Sequence, residues 1–404
     1  MLAQGRPAIC AGSSFEPCVG GAGVIDFAPT DEQRQILDSV DRFAARHLPP
    51  GEQQRRDAAH DPPYHLLPVM AEMGLLALPF PARYGGLDGD WRTVALVQER
   101  LGYRAWMAGS LMNRALGFGG MSLMTYGTEQ QRERLIPEII AGRALFALAL
   151  TEPEAGSDAA AIATRAERTA TGWRLTGRKT WCSDADRADF LVVVARSAPG
   201  SERREGLSMF LVPRDTAGLH MTELPKVGNN CLPSFDIGLD GVEIGAEALM
   251  GEEGAGFRHL GQTLRYSRSG LSAAAVGAAQ RAVDLALAYA KEREQFGRPI
   301  GRFQVIAHRL ADMQMRVDQA RMSHLHLAWL IATDRDAGRH AAQAKVIATE
   351  CLQFVPDHGM QIRASAGYAA ESEMQRLWRD ARLYSFGEGS NEIQRTLIAR
   401  SMGL

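Results

Sequence analysis

Three long helical runs in the second half constrain this chain more than any other feature. Phe257 to Glu292, Val305 to Asp334 and Ala341 to Ala364 are Ala-rich and almost free of breaks. Long helices of this kind bury apolar stripes against one another, so a bundle is expected. Their small apolar faces also suit contacts with other subunits. The N-terminal part shows the same period in shorter pieces. Thr30 followed by Gln33 is a capping-box pattern that starts a helix, with Leu37, Val40, Phe43 and Ala44 on one face. Leu66 to Leu76 and Trp91 to Arg100 continue it, broken by Pro79–Pro81 and Gly85–Gly86.

The texture changes near Ala147. Phe190 to Val194, Leu207 to Val212 and Phe235 to Leu239 are short apolar or alternating runs, punctuated at Thr171–Gly172 and Asp240–Gly241. They predict a small antiparallel β domain. The expected fold class is therefore α+β, mainly α. A flexible extension is expected over residues 1–25 and a helical domain over 26–146. A β-barrel or sandwich domain follows over 147–252, then a four-helix-bundle-like domain over 253–404.

A chain of 404 residues has length for two or three domains, each with its own core. Forty-five Lys and Arg against 47 Asp and Glu leave a formal charge of -2. That balance gives no general attraction to nucleic acid or to an anionic membrane. No stretch approaches the roughly 20 apolar residues of a membrane span. The five cysteines, Cys10, Cys18, Cys182, Cys231 and Cys351, are odd in number and scattered. They predict neither a disulfide framework nor a metal site, and they point to a reducing, cytoplasmic location. The first 25 residues are rich in Gly, Ala and Pro, with one Arg and no sustained apolar run. They read as neither a secretion signal nor a good transit peptide.

Four segments carry candidate chemistry. Ala149-Leu-Thr-Glu-Pro-Glu-Ala-Gly-Ser-Asp158 lies where the β domain begins. It reads either as a plain turn leaving a strand or as a loop presenting N–H groups and hydroxyls to a polar ring. In Gly177-Arg-Lys-Thr-Trp-Cys-Ser183, Trp181 is either a core aromatic or a cover for a flavin ring. Glu292-Arg-Glu-Gln-Phe-Gly-Arg-Pro-Ile300, with Gln304, is by itself a charged helix end stopped by Gly297 and Pro299. Phe386-Gly-Glu-Gly-Ser-Asn-Glu-Ile-Gln-Arg395 puts a carboxylate between two glycines before a last helix. Alone, Glu388 is an exposed loop charge as readily as a base.

In this order and spacing, the four segments resemble the acyl-CoA dehydrogenase family, from about residue 25 to the end. The Gly-x-Gly-x-x-Gly fingerprint is absent, and the family binds FAD without it. The resemblance implies α,β-dehydrogenation of an acyl thioester such as acyl-CoA. Glu388 removes the α-proton, FAD takes the β-hydride and an electron-transfer flavoprotein takes the electrons. It also implies that Leu148, Leu150, Thr151, Gly156 and Ser157 meet the flavin, that Trp181 covers it and that Ser183 bonds it. Ser390 and Glu392 are implied to touch FAD beside the base. Arg293, Gln295, Phe296, Ile300, Gln304, Gln361 and Ser365 are implied to hold the FAD of a neighbouring subunit, in a homo-oligomer expected to be a tetramer. Substrate contacts are implied for Ser157, Arg268 and Gly389. Some members carry their base on the long helix, where this chain has Ser267, so Glu388 is favoured.

The chain departs from the family at Arg363, Ala364 and Ser365, where an apolar residue and two glycines are usual, and at Cys182, where Ile is common. Gly387 replaces an aromatic of some members and leaves more room above the substrate. Arg104 stands just before, and Arg114 within, the otherwise apolar run Trp106 to Met124, whose counterpart in the family lines the far end of the acyl cavity. Glu99-Arg-Leu-Gly-Tyr-Arg104 resembles the glutaryl-CoA dehydrogenases, so one arginine is expected to meet a polar or carboxylate acyl tail. The competing expectation is an arginine at the surface or paired with a helix end. Two other functions remain open: a flavin oxidase, monooxygenase or thioester reductase on the same fold, and a non-catalytic, flavin-free binding relative. Fast oxygen reduction would mark the first, and colourless protein after FAD reconstitution the second.

Overall fold

The computed structural model describes residues 27–198 and 204–404. The extension expected over 1–25, with Cys10 and Cys18, lies outside the described residues. Helix Asp31–His47 opens on a complete capping box: Thr30 Oγ1 accepts from the Gln33 N–H at 3.2 Å, and Gln33 Oε1 accepts from the Thr30 N–H at 3.0 Å. Its buried Leu37, Val40 and Phe43 face helix Trp91–Arg104. The run expected to reach Leu76 ends at Glu72, because Gly74 turns into left-handed backbone at φ 74°. Trp91–Arg104 is capped by Asp90 and runs one turn beyond Arg100. The chain then kinks at Ala105 and continues through Trp106–Asn113, a π-helical segment Arg114–Gly120, Met121–Tyr126 and Glu129–Ile140. The π segment sits against its neighbours through glycine. A Cβ on Gly119 would lie 2.5 Å from the Phe146 ring, and one on Gly117 would lie 2.9 Å from Ser267.

Eight strands form one sheet in the middle of the chain. Gly172–Ser183 and Ser234–Gly245 are its longest members, and Phe190–Arg196 pairs antiparallel with Leu207–Pro213. Trp173, Leu175, Leu191, Val193, Phe210 and Ile237 make its buried face. The antiparallel expectation needs one correction. Phe146–Ala149 runs parallel to Phe190–Arg196, and Arg165 bridges Arg196 in the same sense. A parallel pair needs a long crossover, and the intervening chain, with strands Arg165–Arg168 and Gly172–Ser183, supplies it.

Helices Gly256–Glu292, Gln304–Ala332, Gly338–Arg363 and Asn391–Ser401 build the bundle, with Glu373–Ala381 laid against it. Two glycines bring Gly256–Glu292 onto helix Trp91–Arg104. A Cβ on Gly277 would fall 2.0 Å from the Glu99 carbonyl, and one on Gly102 would fall 2.1 Å from the Ala274 carbonyl. The N-terminal helices and the bundle are thus in backbone contact. No helix among the described residues is long and apolar enough to cross a membrane.

Candidate active site

A cavity of about 1480 Å³ opens between the sheet, the bundle and helix Trp106–Asn113. One wall comes from the sheet. The loop after Phe146–Ala149 is tied to strand Gly172–Ser183 by a buried ion pair. Lys179 Nζ, with 0% exposure, donates to Glu152 Oε1 at 2.7 Å and to the Leu150 carbonyl at 3.1 Å. Glu152 also accepts from the N–H groups of Ala163 at 2.7 Å and Thr164 at 2.9 Å, and the Thr180 N–H donates to the Thr151 carbonyl at 2.8 Å. Desolvation pushes the Lys179 ammonium down to about 8, against the pull of Glu152. Burial raises Glu152, but Lys179 together with the hydrogen bonds from Thr164 and Ala163 outweighs it and leaves the carboxyl below its usual range.

Beyond this anchor the strand loses register between Lys179 and Cys182. Such a bulge re-aims side chains. Cys182 turns into the sheet core, and Trp181 turns out with φ 58° and 52% exposure. A bulky residue in left-handed backbone costs about 1–3 kcal/mol and persists only where its surroundings impose it. A large indole so held against a cavity is placed to cover something flat.

The opposite wall is the turn before the last helix. Glu388 has φ 56° and Gly389 φ 88°. The half-buried Glu388 carboxylate accepts from Ser267 Oγ at 2.6 Å. Its carbonyl accepts from Arg268 Nη2 at 3.0 Å, Arg268 Nε at 3.3 Å and Gln394 Nε2 at 3.3 Å. Desolvation raises the Glu388 pKa, opposed by the Ser267 hydrogen bond and by the charges of Arg268 and Lys345. Burial lowers the pKa of Arg268.

Trp106, Ser110, Asn113, Leu271, Ala274 and Tyr384 also line the cavity. Arg114 lies among them, buried, with Nη1 donating to Ser110 Oγ at 2.6 Å and Nε donating to Asp184. Asp184 is fully buried and also accepts from the Tyr64 hydroxyl at 2.7 Å. The charge of Arg114 is therefore matched within the protein. Arg104 is a correction: it is not in the cavity. It is half exposed and bonds Asp41 at 3.0 and 3.2 Å, because the kink at Ala105 leaves the last turn of its helix facing Asp31–His47.

Of the residues expected at the cofactor, Leu148, Leu150, Thr151, Gly156, Ser157, Trp181, Ser183 and Ser390 line this cavity, as do Arg268, Glu388 and Gly389. Glu392 is exposed on the last helix, outside the lining. Arg293, Gln295, Phe296, Ile300, Gln304, Gln361 and Ser365 do not line the cavity of their own chain. Phe296 is 91% exposed with φ 51° on the hairpin of Glu294–Gln295 and Arg298–Pro299. Sequence reasoning missed Glu152, Lys179, Asp184 and Lys345. Lys179 and Glu152 do stand inside two of the singled-out motifs, which was the available signal.

The cavity exceeds the roughly 300–1,000 Å³ of an ordinary small-molecule site. A Cβ on Gly156 would meet nothing within 4 Å, so open space adjoins that backbone. Together with the outward Trp181, these features fit a flat dinucleotide cofactor beside a second ligand. The family described as acyl-CoA dehydrogenase matches in three parts: its N-terminal domain at residues 30–143, middle domain at 147–242 and C-terminal domain at 254–403. The chain belongs to the acyl-CoA dehydrogenase family. It is similar to a probable acyl-CoA dehydrogenase of Bacillus subtilis (strain 168), 36% identical over 379 residues, covering 94% of this chain and 100% of that one. Its fold matches butyryl-CoA dehydrogenase from Megasphaera elsdenii with a TM-score of 0.90 and 30% identity, over 94% of this chain and 100% of the other. It also matches an FAD complex of the protein PigA with a TM-score of 0.89 and 27% identity, over 94% and 100%. As a family member this chain is an FAD-dependent oxidoreductase acting on CH–CH bonds.

Proposed function

We propose that this acyl-CoA dehydrogenase takes an acyl-CoA thioester into the cavity and removes its α-proton with Glu388. The observation that carries this reading is the Glu388 carboxylate, set at the cavity wall on a left-handed turn, bonded to Ser267 and raised in pKa by desolvation. A base works best when its pKa approaches the operating pH, and desolvation moves a carboxylate that way. Ser267, a neutral donor, orients one carboxylate oxygen. Arg268 and Gln394 hold the Glu388 carbonyl, so the peptide that follows is fixed, and the Glu388 N–H is the donor this reading assigns to the thioester carbonyl. FAD, when bound, supplies the acceptor for the β-hydride. Trp181, Thr151, Ser157 and Ser183 would hold it, with Trp181 shielding it from water. An electron-transfer flavoprotein is the partner this reading assigns as electron acceptor.

The remaining expected FAD contacts, from Arg293 to Ser365, stand away from the cavity of their own chain. They therefore serve a neighbour's cofactor in this reading, in a homotetramer. In the cavity wall, Arg114 already faces Asp184, so a neutral polar acyl tail suits it better than a free carboxylate.

The test is an anaerobic titration of the FAD-loaded protein with a panel of acyl-CoA thioesters, following the visible flavin band. Bleaching by one class is expected, and Glu388→Gln is expected to abolish it. A Glu388→Gln protein that still bleaches would sink the base assignment. Because Glu388 must be ionised to act and its pKa is raised, kcat/KM should fall with acid at a pH above the ordinary carboxylate range.

A further inference from the structure

Lys345 lies on helix Gly338–Arg363 with 0% exposure, and nothing above gives it a task. A lysine is almost never fully buried unless paired. Its ammonium has three donors and finds three acceptors: the Ser385 carbonyl at 3.2 Å, the Gly389 carbonyl at 3.0 Å and Asn391 Oδ1 at 2.9 Å. Ser385 stands three residues before Glu388, and Gly389 and Asn391 stand just after it. One cation thus grips both ends of the turn that carries the base. Thr349, one helical turn along from Lys345, donates to the same Asn391 Oδ1 at 3.1 Å and fixes that end.

None of the three acceptors is a carboxylate, so no counter-charge touches the ammonium. Desolvation pushes the Lys345 pKa down to about 8, and the first force opposing this is the Glu388 charge. Arg268, Glu392 and Glu350 act on it too, the first lowering and the others raising it. Seen from Glu388, the charged groups are Arg268 on Gly256–Glu292 and Lys345 on Gly338–Arg363, with the Tyr384 hydroxyl on the preceding turn. Glu388 and Gly389 hold positive φ, a conformation that a non-glycine residue keeps only under constraint.

We propose that Lys345 is a positioning residue for the dehydrogenation. By gripping the Ser385 and Gly389 carbonyls it holds the left-handed turn that aims Glu388, and it sets a buried positive charge beside that turn. The proposal rests on Glu388 being the base. It assigns two separable effects to one side chain. Losing the grip displaces the carboxylate, and a displacement of about 1 Å costs roughly a hundredfold in rate. Losing the charge removes a force that lowers the Glu388 pKa, so the base needs a higher pH to ionise.

The experiment compares the FAD-loaded parent with Lys345→Met, Lys345→Arg and Glu388→Gln. Anaerobic flavin reduction by the acyl-CoA found in the titration is followed across pH, with rates counted per bound flavin. Lys345→Met should lower kcat on the order of a hundredfold with KM nearly unchanged, and should move the acid limb to higher pH. Lys345→Arg keeps the charge without the fit, so it should return the acid limb towards the parent while the rate stays low. If Lys345→Met does not take up FAD, Lys345→Gln keeps two donors without charge and is read the same way. A variant that loses FAD content or thermal stability, with parent-like kcat per flavin and an unmoved acid limb, shows a structural lysine and overturns the proposal. Parent-like Lys345→Met beside a dead Glu388→Gln overturns Lys345 alone. Retained bleaching in Glu388→Gln overturns the base assignment and this proposal with it.

Discussion

The two walls of the cavity are built by the same device with one difference. On the sheet side, a fully buried lysine anchors a segment that carries a non-glycine residue at positive φ, Lys179 beside Trp181. On the bundle side, Lys345 does so beside Glu388. Desolvation brings both ammonium groups down to about 8. Lys179 has a contact carboxylate, Glu152 at 2.7 Å, whereas Lys345 has two carbonyls and an amide. A local ion pair closes its field on itself and serves as a staple. A buried cation held by neutral groups leaves its field to act on the next carboxylate, here Glu388. The wall expected to grip the cofactor is electrically quiet, and the wall expected to move a proton is not.

The comparison breaks most easily at the staple. Removing one partner of a buried pair leaves a bare charge inside, so Glu152→Ala should cost about 3–5 kcal/mol in urea unfolding. Removing both charges, as in Glu152→Gln with Lys179→Met, should recover most of that loss, since a matched pair is worth little against packed neutral groups. A double variant as unstable as the single would show that Lys179 does more than close a charge. The strained aromatic comes next. Trp181→Gly frees its backbone from the positive φ and should raise apoprotein stability by about 1 kcal/mol. The same change should weaken FAD binding roughly tenfold, the worth of one lost aromatic contact. Quenching of flavin fluorescence measures the second effect and thermal melting of apoprotein the first. Tighter FAD binding in this variant would remove Trp181 from the cofactor wall.

The smallest effect sharpens the bundle side. Glu388 has a folded pKa above its unfolded value, so the native state holds its proton more tightly. Stability then falls as pH rises from the unfolded pKa through the folded one, and the loss persists at neutral pH. Glu388→Gln removes that loss and should be more stable than the parent near neutrality. The two proteins should converge in acid, where both are neutral at this position. Unfolding curves at two pH values decide it, and a gap that widens in acid would contradict the raised pKa.

Much of the fold was legible because local chemistry and tertiary demand agree. The Thr30–Gln33 box caps the first helix as its spacing required, and the long run from Phe257 forms a helix to Glu292. Strand direction was not legible. Alternation tells which face is buried but not which way the neighbour runs, so the parallel pairing of Phe146–Ala149 was missed. Arg104 and Arg114 are equivalent in sequence terms because both belong to one apolar stretch, and only the kink at Ala105 separates them, the first to Asp41 and the second to Asp184. The buried lysines were hidden for a related reason. Lys179 stands between Arg178 and Thr180 and reads as solvated, while the carbonyls that receive Lys345 come together only when the last turn folds back over its helix.

The backbone contact between Gly102 and Ala274 stiffens one wall of the cavity. Ala274 lines the cavity, seven residues or about 10 Å along the helix from the serine that touches Glu388. Behind it stands main chain, with no room even for one carbon atom on Gly102. Side chains can swing away from a long guest, but two interlocked helices cannot. The cavity wall at Ala274 is therefore stiff: a guest that reaches it meets main chain locked against main chain, not a side chain free to rotate aside.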